Sequence, residues 1–344
     1  METIYDYSYE KLEALFLNWG WKKFRVQQCF QWLYEKRCLN FNEMSDLSKE
    51  TISKLEESFC IQPLKIHTKQ VSKDKTVKYL FELLDGSLIE TVLMHHDYGK
   101  SVCVTSQVGC DMGCQFCASG LLKKKRNLTA GEIVAQILFV QKELDQTQQR
   151  VSNVVIMGTG EPFDNYENVM TFCGIINHAR GLALGARHIT ISTCGLTPMI
   201  DRFSKEHVQY NLAISLHASN DRLRSQLMPV NRAYPLKELM NSLRRYSQEN
   251  NRRITFEYIL LKGLNDQEIH AKELAKEIRG MNAYVNLIPY NAVEEHRFKS
   301  CDDKSALKFY DYLMKNGVKA TLRARHGDDI DAACGQLRAK KERG

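Results

Sequence analysis

Apolar residues recur three and four positions apart through the first part of the chain. The stretches "YEKLEALFLNWG" (9–20) and "FRVQQCFQWLYEKR" (24–37) have this spacing, which predicts two amphipathic helices. Two strand-like runs follow, "VKYLFEL" (77–83) and "SLIETVLM" (87–94), and the turn signal "LDG" between them predicts a β-hairpin. Residues 1–95 are therefore predicted to form a small α+β accessory domain.

After residue 100 the pattern changes to a repeat of strand, loop and helix. Near-continuous apolar runs of strand length alternate with helical stretches, which predicts a parallel sheet covered by helices. The predicted strands are "SVCVTS", "NVVIMG", "RHITIST", "YNLAISL", "RITFEYILL", "YVNLIPY" and "VKATLRA". About six βα units in residues 96–324 are too few for a closed eightfold barrel. We therefore expect an α/β fold with an open, partial (β/α)6 barrel that binds its ligands at the carboxyl ends of the strands.

Composition is typical of a globular protein from a reducing compartment. Of the 344 residues 43% are hydrophobic, and no run of eighteen apolar residues predicts a membrane span. The start "METIYDYSYEK" is polar and unlike a secretory signal, so we expect a cytoplasmic protein without membrane contact. Eleven cysteines, an odd number, do not suit a disulfide scaffold. Cys29, Cys38, Cys60 and Cys173 lie in apolar helical patterns, and these four, like Cys194 at a strand end, are expected to serve only in packing.

The net charge of +7 is unevenly distributed. Four cations, Lys123–Arg126, follow a cysteine-rich loop in "LLKKKRN", and "RAKKERG" closes the chain. Such runs are often only solvated surface. Their position beside the cysteine-rich loop and at the end of the chain favours an anionic partner, such as a nucleic acid.

Three cysteines, Cys110, Cys114 and Cys117, lie close together in "CDMGCQFC". This spacing suits three irons of a [4Fe–4S] cluster, whose fourth iron then has no protein ligand and is open to another molecule. A structural zinc site is one alternative, but the chain has no second Cys-x-x-Cys pair, and Cys103 lies within a predicted strand. A thioredoxin-like pair is the other alternative, although it lacks its usual helix-start context and leaves Cys110 without a role.

Polar residues also follow the other predicted strands. The segment "VVIMGTGEP" (154–162) is a strand that ends in Gly158 and Gly160, followed by Glu161. Backbone exposed by glycines together with one carboxylate suits a bound ammonium group, and the third glycine of a dinucleotide-binding motif is missing. The later strand ends carry Ser192, Ser215, His217 and Asn291. Single serines are typical of caps and a single histidine is typical of a packed core, but their recurrence at successive strand ends favours one shared site.

With the aromatic Phe116 before its last cysteine, the loop resembles the radical SAM superfamily. This resemblance implies that the three loop cysteines bind a [4Fe–4S] cluster and that the open iron binds S-adenosylmethionine (SAM). It further implies a set of residues that contact SAM: Gly160, Glu161, Ser192, Ser215, Leu216, His217 and Asn291.

Longer motifs narrow the resemblance to the RlmN/Cfr family of RNA methyltransferases. They are "CVTSQVGCDMGCQFC" (103–117), "SLHASNDRLRSQLMPVN" (215–231), "LIPYN" (287–291) and "RHGDDIDAACGQL" (325–337). The family implies methylation of adenosine in 23S ribosomal RNA, near the peptidyl-transferase centre, and in transfer RNA, 3′ of the anticodon. Pro162 and the complete C-terminal motif are closer to the branch that methylates carbon 2 than to the branch that methylates carbon 8. A zinc-stabilised RNA-binding protein is the non-enzymatic alternative.

The resemblance also implies roles for three further residues. Cys334, in a separate C-terminal segment (325–344), accepts a methyl group from one SAM, and a radical made from a second SAM then activates it. The resulting carbon radical adds to the adenine ring and links RNA to Cys334. Glu90 removes the ring proton, and Cys103 forms a disulfide with Cys334 that releases the product, so their Cα atoms must come within roughly 4.4–6.8 Å. A flavodoxin-type electron donor and a monomeric enzyme are expected.

Overall fold

The N-terminal unit is helical, as predicted. The computed structural model describes residues 2–293, 295–323, 329–330 and 335–343. The unit contains three helices: α1 (Tyr9–Asn18), α2 (Phe24–Phe30) and α3 (Lys49–Ser58). The strand before them, β1 (Glu2–Thr3), pairs in parallel with the strand after them, β2 (Phe59–Cys60). Gly20 supplies the left-handed φ of +79° at the turn between α1 and α2.

One sheet of ten strands forms the rest of the core. Its parallel strands are β6 (Gly99–Cys103), β9 (Val151–Ile156), β10 (Ile189–Thr193), β11 (Asn211–Ser215), β12 (Ile254–Leu260), β13 (Ala283–Pro289) and β14 (Lys319–Leu322), which lie side by side in that order. They coincide with the seven predicted segments. Leu212, Ala213 and Ile214 of β11 are all fully buried, as expected for a strand covered on both faces. The sheet ends at β14 without closing on β6, so the predicted open barrel is confirmed.

The predicted hairpin is an extension of this same sheet. Strands β3 (Leu64–Val71), β4 (Val77–Leu83) and β5 (Leu88–His96) are antiparallel, and β5 pairs with β6. The sheet therefore continues across residue 95, the predicted domain boundary, which stays a prediction. Strand β3 was not predicted, because this edge strand is mostly exposed and polar, and its apolar alternation is limited to Leu64 and Ile66.

Helices cover the outside of the barrel; one follows each of β6, β9, β10, β12 and β13, and two follow β11. They are α4 (Ala130–Asp145), α5 (Tyr166–Asn177), α6 (Thr197–Lys205), α7 (Asp221–Leu227), α8 (Leu236–Asn250), α9 (Glu268–Glu277) and α10 (Asp303–Lys315). The N-terminal unit packs on α4, where the Gly131 N–H donates to Asp6 Oδ1 at 2.7 Å. Within the described ranges, no helix is long and apolar enough to cross a membrane.

A last helix, α11 (Gln336–Arg343), returns to the antiparallel extension. Its first turn contacts β5, and Asp329 accepts hydrogen bonds from the Ser72 hydroxyl and from the Lys73 N–H in the β3–β4 turn. Cys334 lies outside the described residues. The C-terminal boundary at residue 325 therefore stays a prediction.

Candidate active site

A cavity of about 390 Å³ opens at the carboxyl ends of the parallel strands. Of the predicted site residues, it is lined by Cys103, Cys110, Cys114, Cys117, Gly160, Glu161, Ser192, Ser215, His217 and Asn291. Leu216 and Glu90 are buried but do not line it. Parallel strands bring their carboxyl ends to one edge, which is why residues almost 190 positions apart converge here.

The three-cysteine loop is held at both ends by backbone hydrogen bonds. The short antiparallel strands β7 (Gln107–Val108) and β8 (Arg126–Asn127) flank the loop. Within it, the Gln115 N–H donates to the Leu227 carbonyl at 2.9 Å, which ties the loop to the end of α7. Gly109 has a φ of +86°, and a Cβ atom there would lie 2.2 Å from the Lys123 carbonyl oxygen. Glycine is therefore required where the loop turns.

Burial and mutual proximity make two of these thiols, those of Cys110 and Cys114, difficult to ionise without a cation. Burial raises the pKa of the Cys110 thiol to about 12. It raises the pKa of Cys114 well above the usual value, and the neighbouring Cys117 and Cys110 raise it further. Apolar side chains surround the loop, including Phe116, Met228 and Tyr290. Three thiolates can be stable together here only if positive charge is bound between them.

The glycines of the Gly158–Glu161 turn permit close backbone contact. A Cβ atom on Gly158 would lie 2.7 Å from the Val104 carbonyl oxygen, and one on Gly160, whose φ is +114°, would lie 2.7 Å from Gln107 Cβ. The turn thereby packs against the segment that leads from β6 into the cysteine loop. These glycines set the distance between the cysteine loop and Glu161.

Glu161 is a buried carboxylate fixed in orientation by backbone donors. Its Oε1 accepts from the Phe163 N–H at 3.0 Å, and its Oε2 accepts from the Cys194 N–H at 2.7 Å. Burial raises the pKa of Glu161, and the Cys194 and Phe163 N–H groups oppose that change. A cationic ligand in the cavity would stabilise its charged form.

The polar residues of the next two strand ends face the same space. Ser192 Oγ and Ser215 Oγ are 3.4 Å apart. His217 has a φ of +56°, and its Nδ1 accepts from the Ile259 N–H at 3.2 Å. Burial lowers the pKa of His217 to about 3, so the ring is neutral. The Leu216 N–H donates to the Glu257 carbonyl at 3.1 Å, so Leu216 offers the site no free N–H.

Glu90 lies on β5, beside rather than within the cavity lining. Its carboxylate is 3.0 Å from the ammonium of Lys78 and accepts from the N–H groups of Gly335 at 2.6 Å and Arg338 at 2.7 Å. A Cβ atom on Gly335 would lie 2.7 Å from the Ser119 backbone nitrogen, so this glycine packs directly against the turn that follows Cys117.

Sequence reasoning missed three groups at the site. Cys194, assigned only to packing, lines the cavity and donates its N–H to Glu161. Glu257 and Arg323 also line the cavity. Glu257 Oε1 accepts from Asn286 Nδ2 at 2.9 Å, and its Oε2, 3.9 Å from the Arg323 guanidinium, accepts no hydrogen bond from the described residues. Glu257 lies in the middle of the predicted strand "RITFEYILL", and one buried charge in an apolar run was the signal that could have found it.

Comparison with known proteins decides between the alternatives. The pattern of the radical SAM superfamily matches residues 104–275, and that of the ribosomal RNA large subunit methyltransferase N-terminal domain matches residues 3–61. A probable dual-specificity RNA methyltransferase RlmN from Enterococcus faecalis is 55% identical over 99% of this chain and 97% of its own length. One from Spiroplasma citri is 53% identical over 99% of each chain. This chain belongs to the RlmN family of radical SAM RNA methyltransferases.

A solved structure from the same superfamily has the same fold. The crystal structure of a radical SAM methyltransferase from Sphaerobacter thermophilus matches with a TM-score of 0.95 and 42% identity, over 98% of this chain and all of that one. The predicted family, fold class and enzyme class are confirmed. Membership in the superfamily implies a [4Fe–4S] cluster and SAM.

The residues of the cavity fit that cofactor pair. The thiols of Cys110, Cys114 and Cys117 belong to one loop and line the cavity together with the buried carboxylate of Glu161. In a four-iron cluster each cysteine ligand binds a different iron, so three cysteines could hold three irons. The thiols and the carboxylate therefore suit a cluster and the amino group of SAM.

The four cationic side chains of Lys123–Arg126 differ in their surroundings. Lys124 forms an ion pair with Asp164 at 2.6 Å, and Arg126 pairs with both Asp85 and Glu132 at 2.7 Å. Lys123 and Lys125, by contrast, are exposed. Lys124 and Arg126 are thus held by carboxylates of the chain itself, so their charges are partly compensated within the protein.

Proposed function

We propose that this enzyme adds a methyl group to carbon 2 of adenosine in 23S ribosomal RNA and in transfer RNA. The observation that carries the proposal is the convergence on one cavity of the Cys110–Cys117 loop, the Gly160–Glu161 turn and Cys103. Similarity to dual-specificity relatives over nearly the whole chain supports both substrates. These RNAs place the reaction in the cytoplasm.

In this proposal Cys110, Cys114 and Cys117 would hold the cluster, and the residues at the strand ends would hold SAM. When bound, the cluster supplies the electron that cleaves SAM to a 5′-deoxyadenosyl radical. Glu161 holds the amino group of SAM, since its carboxylate is buried and already oriented by two N–H donors. Ser192, Ser215, His217 and Asn291 contact the rest of the molecule, Leu216 shapes the wall behind it, and two SAM molecules are used per turnover.

The chain's own chemistry rests on two thiols and one carboxylate. Cys334 accepts the methyl group and becomes bonded to RNA through it, Glu90 takes the proton from carbon 2, and Cys103 attacks the Cys334 sulfur. This attack forms the Cys103–Cys334 disulfide and breaks the bond between the Cys334 sulfur and the methylene carbon, which keeps the electron pair and takes the Cys103 proton to become the methyl group. The odd electron left by radical addition would return to the cluster, and the methylated RNA is released. None of the ten cysteines in the described part is in a disulfide, and Cys103 lines the cavity, 7% exposed.

Nucleoside analysis tests the proposal. The reconstituted enzyme is incubated anaerobically with RNA, SAM and a reductant such as reduced flavodoxin, and the RNA is digested to nucleosides. We expect 2-methyladenosine. Recovery of 8-methyladenosine would identify the carbon-8 branch, and zinc in place of iron after metal loading would contradict an enzymatic role.

RNA binding is assigned to the N-terminal domain and to the exposed lysines beside the cavity. A folded RNA must present its adenosine unstacked to reach a site at the strand ends. The enzyme is proposed to act as a monomer.

Replacing Lys123 and Lys125 together by Gln is expected to weaken RNA binding and to make it less sensitive to salt. For each phosphate that a lysine no longer neutralises, the slope of log affinity against log salt should fall by about 1. Filter binding at several salt concentrations measures the slope. Lys272→Gln, on the exposed face of α9, is the control. An unchanged slope in the double variant would show that these two lysines do not contact RNA phosphates.

Glu161→Gln is expected to raise the SAM concentration needed for half-saturation by about 10–100-fold, since a hydrogen bond to a charged group is worth ~1.5–3 kcal/mol. Glutamine keeps the shape and one acceptor oxygen, but its NH2 group faces either the Phe163 or the Cys194 N–H, so one of these two hydrogen bonds is lost together with the charge. Equilibrium binding of SAM measures the effect. Glu167→Gln, whose partner Arg202 lies on the surface, is the matched control. Equal SAM affinity in both variants would show that Glu161 does not bind SAM.

A further inference from the structure

The most heavily engaged carboxylate near the cavity is that of Glu90. Its side chain is 4% exposed and that of Lys78 is fully buried. Glu90 Oε2 is bound by the Lys78 ammonium at 3.0 Å and by the Gly335 N–H at 2.6 Å, while Oε1 accepts from the Arg338 N–H at 2.7 Å. One carboxylate thus joins a strand, its neighbour and the first turn of α11.

The pairing of Lys78 with Glu90 follows from strand register. In the antiparallel pair β4–β5, Leu80 lies opposite Glu90, so Lys78 lies two positions along β4 on the same face. A lysine without solvent exposure requires a counter-charge, because burying an ammonium alone costs more than the fold can supply. Lys78 therefore holds the Glu90 carboxylate at a fixed position.

The Glu90 carboxylate, on β5, caps the amino-terminal end of α11. The first N–H groups of a helix have no partner within it, and Glu90 accepts from two at this end. Only the carboxylate has acceptor sites for both N–H groups and the ammonium. A proton on either oxygen converts an acceptor into a donor that faces these donors, so at least one of the three bonds must break.

We propose that Lys78 is a positioning residue for Glu90, and that Glu90 latches the first turn of α11 only while it is ionised. This inference rests on the proposed function, in which the carbon-2 proton moves to a Glu90 oxygen and its bonding electrons remain on the adenine ring. The proton neutralises the carboxylate and releases the Gly335 and Arg338 N–H groups. Gly335 follows Cys334 directly in the chain, so the latched turn is the one next to the thiol that carries RNA in the proposed reaction.

Hydrogen exchange of the full-length protein, without SAM or RNA, tests the latch. Glu90→Gln keeps the shape of the protonated acid. It is expected to speed amide exchange in the peptide that begins at Gly335 about tenfold or more, because it removes one hydrogen bond to a charged group. Lys78→Met should have the same effect. Exchange in β10–β12 should not change, which shows that the barrel is folded. Glu82→Gln, on β4 and paired with the exposed Lys65, is the matched control.

A double-variant cycle separates positioning from general stability. In the Glu90→Gln background, Lys78→Met should add nothing to α11 exchange, because its effect passes through the carboxylate. This double variant also removes both buried charges, so it remains usable if Lys78→Met alone does not fold. Unchanged α11 exchange in Glu90→Gln would overturn the latch, and additive effects would overturn the role of Lys78. Exchange is measured without substrates, so failure of the proposed methylation would appear only in the nucleoside analysis.

Discussion

Cys114→Ala is expected to yield a folded protein that holds no intact four-iron cluster and does not cleave SAM. Cys114 is the middle ligand of the loop, and its thiol is buried among the apolar side chains that surround the site. With two thiolates left, the cluster lacks one of its three protein ligands. The rate of SAM cleavage should fall by more than the ~10–100-fold that is typical when a residue that only hydrogen-bonds to a metal ligand is removed.

Iron and sulfide content, the visible absorbance of the anaerobic protein and SAM cleavage measure this outcome. Cys173→Ala is the control, since Cys173 is a fully buried cysteine of α5 that does not line the cavity. Both variants remove one buried thiol, so a general loss of stability would affect them alike. A Cys114→Ala protein with full iron content and normal SAM cleavage would contradict the assignment of the loop as cluster ligand.

Cys103→Ala is expected to stop the reaction after one covalent event per enzyme. Without the attacking thiol, RNA stays bonded to Cys334, so a protein–RNA adduct accumulates and multiple turnover is lost. Cys103 is suited to this role by position, because it ends β6, lines the cavity and lies seven residues before the first cysteine of the loop. Its neighbour in the sheet, Val92 of β5, also lines the cavity.

The adduct is measured as a band of reduced mobility on a denaturing gel that ribonuclease removes. Cluster content should remain normal, which separates this variant from Cys114→Ala. Cys334→Ala, which retains the cluster but has no methyl acceptor, should form no adduct at all, and Cys60→Ala should turn over normally. Continued turnover by Cys103→Ala would show that another group resolves the intermediate. The Cα distance between Cys103 and Cys334 stays a prediction because Cys334 lies outside the described residues.

The local motifs were readable without a structure because their chemistry depends on short covalent spacing. Cys110, Cys114 and Cys117 lie on one loop, and Gly160 and Glu161 are adjacent. The rule that parallel strands carry ligands at their carboxyl ends then placed Ser192 and Ser215 at the same site. Strands with continuous apolar runs were equally clear, whereas the polar edge strand β3 was not.

The sequence by itself therefore determined the open α/β barrel, the cysteine loop and the strand ends that face it. Only the tertiary structure decided which polar groups meet across long separations: Lys78 and Glu90 with the first turn of α11, Cys194 with Glu161, and Arg126 with Asp85. These pairings depend on strand register and on which side chains lose contact with water. Neither property is encoded in the spacing of neighbouring residues, because both arise only when distant segments pack together.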